Sequence, residues 1–165
     1  MKKVSIISVN YKQKDVTIDF LKSVKLNTNA DNIELILADN GSSEDHARLY
    51  QSIYPGIIYI RSQENLGFAG GNNLGIGAAK GEYLLFLNND TEITGNLTDI
   101  LTSEFEANPE IGLLSPLILY YDQPETIQYA GFTSMNYLTC RNKGIGNMER
   151  NEGQFDEDSR ETGYI

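Results

Sequence analysis

Four strand-length apolar runs constrain this chain most: residues 4–9, 33–38, 57–60 and 83–87. Each is rich in Val, Ile, Leu or aromatic residues, and none alternates strictly between apolar and polar positions. Such strands suit burial on both faces of a parallel sheet covered by helices. Helical patterns fill the gaps. Residues 15–26 set Phe20, Leu21 and Val24 on one face. Ser42 with Asp45 resembles a capping box ahead of Ala47, Leu49, Tyr50 and Ile53. Residues 68–79 are rich in small side chains after a glycine turn. Leu97, Ile100, Leu101 and Phe105 follow Asn96, a good N-cap, and that helix is expected to stop at Asn108-Pro109. The β-α-β-α-β-α-β-α order predicts an α/β fold with a mostly parallel central sheet flanked by helices.

Residues 111–121 are expected to add a further strand. The core is expected over residues 1–140. Residues 141–165 hold six acids, four bases and few apolar side chains, so a polar loop or tail is expected there.

The 165 residues carry 13 Lys and Arg against 23 Asp and Glu, a net charge of −10. A nucleic-acid binder needs clustered basic residues, so that class is excluded, whereas a small anion held by backbone amides and a metal is not. With one cysteine (Cys140) and one histidine (His46) there is no internal disulfide and no thiolate or histidine metal cluster. Cys140 is expected to be partly buried and His46 to lie at the surface. The apolar runs are far shorter than the ~20 residues that cross a bilayer. The start of the chain, Met1-Lys2-Lys3, runs straight into a strand pattern and makes a poor signal peptide. The cytoplasm is the expected compartment.

In open α/β sheets, ligands bind beyond the carboxyl ends of the strands. Those positions are Asn10-Tyr11, Asp39-Asn40-Gly41, residues 61–65 and Asn88-Asn89-Asp90. A carboxylate only accepts hydrogen bonds, so Asp39 suits the imide N–H of uracil or thymine or the paired donors of guanine, and not the acceptor edge of adenine; capping its own turn is the alternative. Tyr11 can stack on a base or pack. The run NLGFAGGNNLG over residues 65–75 lets backbone amides approach an anion at a helix start, or lets the helix approach the sheet closely. It is neither a P-loop nor a dinucleotide fingerprint. Asp90, at a strand end, suits magnesium or manganese held by one carboxylate plus phosphate oxygens.

Residues 4–11 (VSIISVNY), 38–42 (ADNGS), 65–75 and 81–90 (GEYLLFLNND) together resemble family 2 glycosyltransferases of the GT-A fold, in order and spacing as well as in wording. The NLGFAGGN form resembles the rhamnosyltransferase-like branch. The resemblance covers residues 3–120 well and continues more loosely to Glu161-Thr162-Gly163-Tyr164-Ile165, which looks like the approach to an acceptor-side strand.

The resemblance implies an inverting transferase that takes a UDP- or dTDP-sugar, with Mg2+ or Mn2+, to a saccharide or lipid-linked acceptor in cell-surface polysaccharide or glycolipid synthesis. Asn10, Tyr11 and Asp39 would flank the pyrimidine. Asn65, Gly67, Asn72 and Asn73 would lie near base, ribose or phosphates. Asn88, Asn89 and Asp90 fall on the family's Asp-x-Asp motif, so Asp90 is the one carboxylate left for the metal. The general base is expected beyond Ile165, because none of Glu149, Glu152, Asp156, Glu157, Asp158 and Glu161 ends an apolar strand. The chain thus reads as a donor-binding portion truncated before the acceptor half. The alternative is a non-catalytic nucleotide-sugar-binding or interaction module. An uncovered edge would favour a homodimer, and a lipid-linked acceptor would bring the protein to the inner face of the membrane.

Overall fold

The computed structural model describes residues 3–156 and 159–163. The expectations attached to Met1, Lys2, Glu157, Asp158, Tyr164 and Ile165 lie outside the described residues. Two compact units divide the chain, Met1–Thr102 and Ser103–Ile165.

The first unit is the predicted α/β layer. Strands β1 (Val4–Asn10), β2 (Ile33–Asn40), β3 (Ile58–Ser62) and β4 (Tyr83–Phe86) form one sheet in the order β3-β2-β1-β4. Every pairing in it is parallel. Helices α1 (Lys14–Asn27), α2 (Ala47–Ile53) and α3 (Gly67–Ala78) alternate with the strands. This is the mostly parallel, helix-flanked sheet expected from the sequence. All eight residues of β2 are buried, which explains why its sequence shows no polar alternation.

The two faces of β1 have different fates. Ile6 joins Leu35, Leu37, Phe20, Leu21, Val24 and Tyr50 in one buried cluster with α1 and α2. Each such side chain contributes about 1.5–3 kcal/mol by leaving water. Ile7 and Val9 face α3, where glycine is required. A Cβ on Gly75 would lie 2.4 Å from Ile7 Cγ2, and one on Gly71 would lie 2.7 Å from Val9 Cγ1. The close-packing reading of the glycine run therefore holds for Gly71 and Gly75.

The second sheet differs from expectation. Of residues 111–121 only Ile118–Tyr120 form a strand, β5, and it pairs antiparallel with β6 (Gln123–Tyr129) in a separate two-stranded sheet. Pro116 lacks an N–H and restricts the residue before it, so the run cannot extend as one ladder strand. The helix before it, α4 (Leu97–Ala107), stops just ahead of Asn108-Pro109 as predicted.

Residues 141–151 belong to no helix or strand and part of them pairs with β6. Ile127 N–H donates to Glu149 O, Met148 N–H to Ile127 O and Asn151 N–H to Glu125 O, which lays this segment along β6. Cys140 is exposed rather than partly buried. His46 is half-buried and stacks edge-on against Tyr50 at 5.9 Å.

Candidate functional site

The carboxyl ends of β1, β2 and β3 share one row: Asn10 pairs with Asp39, and Asp39 with Arg61. The loop after β4 joins the same rim through Leu87 N–H, which donates to Ile7 O. Asp39, in the last two residues of β2, and Asp90, after β4, therefore lie at the same edge of one sheet, on either side of β1.

Asp39 is fully buried and each of its oxygens accepts one hydrogen bond. Oδ1 accepts from Ser42 N–H at 3.0 Å, the turn-capping role. Oδ2 accepts from the Tyr59 hydroxyl at 2.7 Å. Arg61 Nε lies 3.9 Å from Oδ2, and its Nη2 donates to Ser42 O at 2.6 Å. Burial, then the Asp39 carboxylate, pushes the Tyr59 hydroxyl well above its usual range, so it stays a donor. Gly41 makes this turn feasible: its φ is +84°, and a Cβ there would lie 2.6 Å from the Glu64 carbonyl carbon.

Asn10 is an organiser rather than a surface contact. It is fully buried. Its Oδ1 accepts from Gln13 N–H at 3.1 Å and from the Thr17 hydroxyl at 3.2 Å, and its Nδ2 donates to Ser42 Oγ at 3.4 Å. Ser42 Oγ also accepts Lys12 N–H at 2.9 Å, which secures Lys12 at a φ of +60°. Ser42 therefore serves the rim. The start of α2 is instead served by Asp45, whose Oδ1 accepts Ala47 N–H at 2.9 Å.

Tyr11 and Asn65 lie at the surface, with Tyr11 40 % exposed. The Tyr11 hydroxyl is held below its usual range, first by a hydrogen bond from Lys12 and then by one from the Asn65 side chain. Lys12 Nζ sits 4.8 Å from the Tyr11 ring centre. Asn40 fixes this corner: Nδ2 donates to Asn65 Oδ1 at 3.0 Å and to Gly67 O at 2.9 Å, while Oδ1 accepts Leu66 N–H at 2.9 Å. Gly67 has a φ of +72°, and its N–H donates to Asn65 Oδ1 at 2.8 Å. Farther along α3, Asn72 donates to Phe68 O of its own helix, and Asn73 is exposed.

At the other end of the rim, Asn88 and Asp90 are exposed while Asn89 between them is buried. Asn89 Nδ2 donates to the Thr17 hydroxyl at 2.9 Å. Tyr59, Asp39, Ser42, Asn10, Thr17 and Asn89 thus form one hydrogen-bonded line across all four strands. Thr17 and Tyr59 are the members that the sequence does not single out as site residues, and Ser42 reads there as a helix cap. A polar residue inside the apolar stripe of α1 was the available signal for Thr17.

Among the described residues no cluster of three or more His, Cys, Asp or Glu could hold a metal ion by itself. Asp90 supplies a single hard oxygen donor, which fits Mg2+ or Mn2+ shared with phosphate oxygens and water.

The sequence profile of glycosyl transferase family 2 matches residues 5–158. This chain belongs to that family. It is 32 % identical over 133 residues to the O-antigen biosynthesis protein RfbC of Myxococcus xanthus, covering 78 % of this chain and 10 % of that protein. The family 2 chain also resembles solved structures in fold. A mannosyltransferase, PcManGT from Pyrobaculum calidifontis, in complex with GDP-Man and Mn2+, has a TM-score of 0.63 at 19 % identity, over 72 % of this chain and 36 % of that one. S. aureus TarS 1-349 in complex with UDP has a TM-score of 0.59 at 15 % identity, over 73 % of this chain and 43 % of that one. The first curated relatives are all longer, and this chain spans 10 % to 43 % of their length. No helix among the described residues is long and apolar enough to cross a membrane.

Proposed function

We propose that this chain binds a UDP- or dTDP-sugar with a divalent cation and serves as the donor-binding part of an inverting glycosyltransferase. The observation that carries the reading is the hydrogen-bonded line across the four strand ends. It has exposed Tyr11 and Asn65 near one end and exposed Asp90 at the other. A base and a diphosphate need those two chemistries on one rim.

The roles follow from the side chains. Tyr11 supplies a stacking face and Asn65 an amide donor, its Oδ1 already holding Asn40 Nδ2 and Gly67 N–H. Each Asp39 oxygen has two lone pairs and has already taken one donor, Ser42 N–H or the Tyr59 hydroxyl. One lone pair on each oxygen therefore stays open, and the imide N–H of uracil or thymine needs one of them. Because Asp39 is fully covered, a base reaches it only after neighbouring side chains move. Asp90 would hold Mg2+ or Mn2+, and that cation would neutralise charge on the leaving diphosphate.

In the transfer, the acceptor hydroxyl oxygen bonds to the anomeric carbon as the carbon–oxygen bond to the diphosphate breaks. A carboxylate base takes the hydroxyl proton. Glu149, Glu152, Asp156 and Glu161 are exposed and none ends a strand, so none is assigned that role. A saccharide or lipid-linked acceptor for surface polysaccharide is the reading that the RfbC relationship favours.

The test is thermal-shift measurement with UDP, dTDP and GDP, each with and without Mn2+. A rise in melting temperature with UDP or dTDP that grows with Mn2+, and a smaller rise with GDP, is expected. No shift with any nucleotide would refute the proposal.

A further inference from the structure

We infer that Thr17 is a positioning residue for the diphosphate end of the rim: its hydroxyl holds the Asp90 loop against the Tyr11 loop. The inference rests on the donor-site reading above. Thr17 is fully buried in the first turns of α1. Its Oγ1 accepts from Asn89 Nδ2 at 2.9 Å and faces two acceptors, Gln13 O at 2.8 Å and Asn10 Oδ1 at 3.2 Å. One hydroxyl proton is shared between those two, and the oxygen lone pairs serve Asn89.

The consequence for Asp90 is geometric. The ladder hydrogen bonds of β4 end with Leu87 N–H on Ile7 O. Beyond that point the described bonds of Asn88 are local: Thr91 N–H and the Thr91 hydroxyl both donate to Asn88 O, at 3.2 and 2.7 Å. The Asn89–Thr17 bond is the side-chain tether at the Asp90 position itself, and farther along the loop Ile93 N–H donates to Ser23 Oγ at 3.2 Å and Ile93 O accepts from Asn27 Nδ2 at 2.9 Å. Holding the middle residue of Asn88-Asn89-Asp90 inward turns its two neighbours outward, as their exposure shows. Through Asn10 and Ser42 the same hydroxyl connects to the turn of Asp39.

Thr17→Val keeps the shape of the side chain and removes the hydroxyl; Thr17→Ser keeps the hydroxyl and removes the methyl. By calorimetry, Thr17→Val is expected to weaken UDP binding in Mn2+ by about tenfold or more and uridine binding by about twofold at most. Thr17→Ser is expected to stay within about threefold of the unaltered chain for both ligands. Asn89→Ala removes the same bond from its other end and is expected to reproduce the Thr17→Val loss, which keeps the test valid if Thr17→Val does not fold. In the ligand-free chain, NMR signals of the Asn89 side-chain amide are expected to be protected from exchange, and to lose protection in Thr17→Val but not in Thr17→Ser.

Wild-type-like UDP affinity in folded Thr17→Val or in Asn89→Ala would overturn the inference. So would an equal loss in Thr17→Ser, which would assign the effect to methyl packing, or an Asn89 amide unchanged in Thr17→Val. If the unaltered chain binds no UDP while the Asn89 tether still breaks in Thr17→Val, the donor-site reading fails and Thr17 is left a structural tether with no positioning role.

Discussion

Asn40 at the end of β2 donates through Nδ2 to Oδ1 of Asn65, at 3.0 Å and 25 residues away. The same side chain holds Leu66 N–H and Gly67 O, so one amide secures the whole entry to α3. Asn40→Ala leaves those groups without their partner at a buried position, and should cost about 1–3 kcal/mol. Urea denaturation of the purified variant checks this. A change below about 0.5 kcal/mol would mean that water replaces the amide fully.

The glycines of α3 divide into two kinds. Alanine at Gly75 or Gly71 pushes a Cβ into the β-branched side chains of Ile7 or Val9 on the central strand. Each should cost about 1–3 kcal/mol through overpacking. Alanine at Gly77 meets nothing within 4 Å and should raise stability, by up to about 1 kcal/mol, through helix propensity. Equal denaturation midpoints for the three variants would contradict this account of helix–sheet contact.

Glu34 lies at the other end of β2. Burial tends to raise its carboxyl, but hydrogen bonds from the Ser5 hydroxyl and from Lys80 and Gly81 N–H outweigh that and hold it below the usual carboxylate range. A depressed folded value means that the unfolded chain takes up the proton first as pH falls. The contribution is therefore full above the unfolded value near about 4.3, and is lost as pH drops through the lower folded value. Urea midpoints taken from about pH 7 to about pH 3 should fall less steeply for Glu34→Gln than for the unaltered chain in the acid part of that range. Parallel curves would remove Glu34 from the account.

The strand and helix bounds of the first unit were legible because they are written in local apolar pattern. The four predicted runs match β1 to β4 to within a few residues at each end. Asn10, Tyr11, Asp39, Asn65 and Asn89 were legible as strand-end positions, and Gly67 as part of a glycine-rich helix entry. What each one touches was not. Asp39 read as a base acceptor or a turn cap, and Oδ1 does cap the turn, but Tyr59 and Arg61 of β3 also meet it, and no local pattern carries a contact between strands. Ser42 looked like a helix cap and instead receives Lys12 N–H. Residues 141–151 read as a polar loop or tail, and their pairing with β6 left no mark in the sequence because it is made by backbone groups that every residue except proline carries.

Isothermal calorimetry of UDP binding to Asp90→Ala, with and without Mn2+ and beside uridine, tests the central claim most directly. The unaltered chain should bind UDP more tightly when Mn2+ is present. Asp90→Ala should lose that gain, about tenfold or more, while its uridine affinity stays within about twofold. Equal affinities of the two proteins for UDP in Mn2+ would contradict the claim that Asp90 serves the cation at the diphosphate end of this rim.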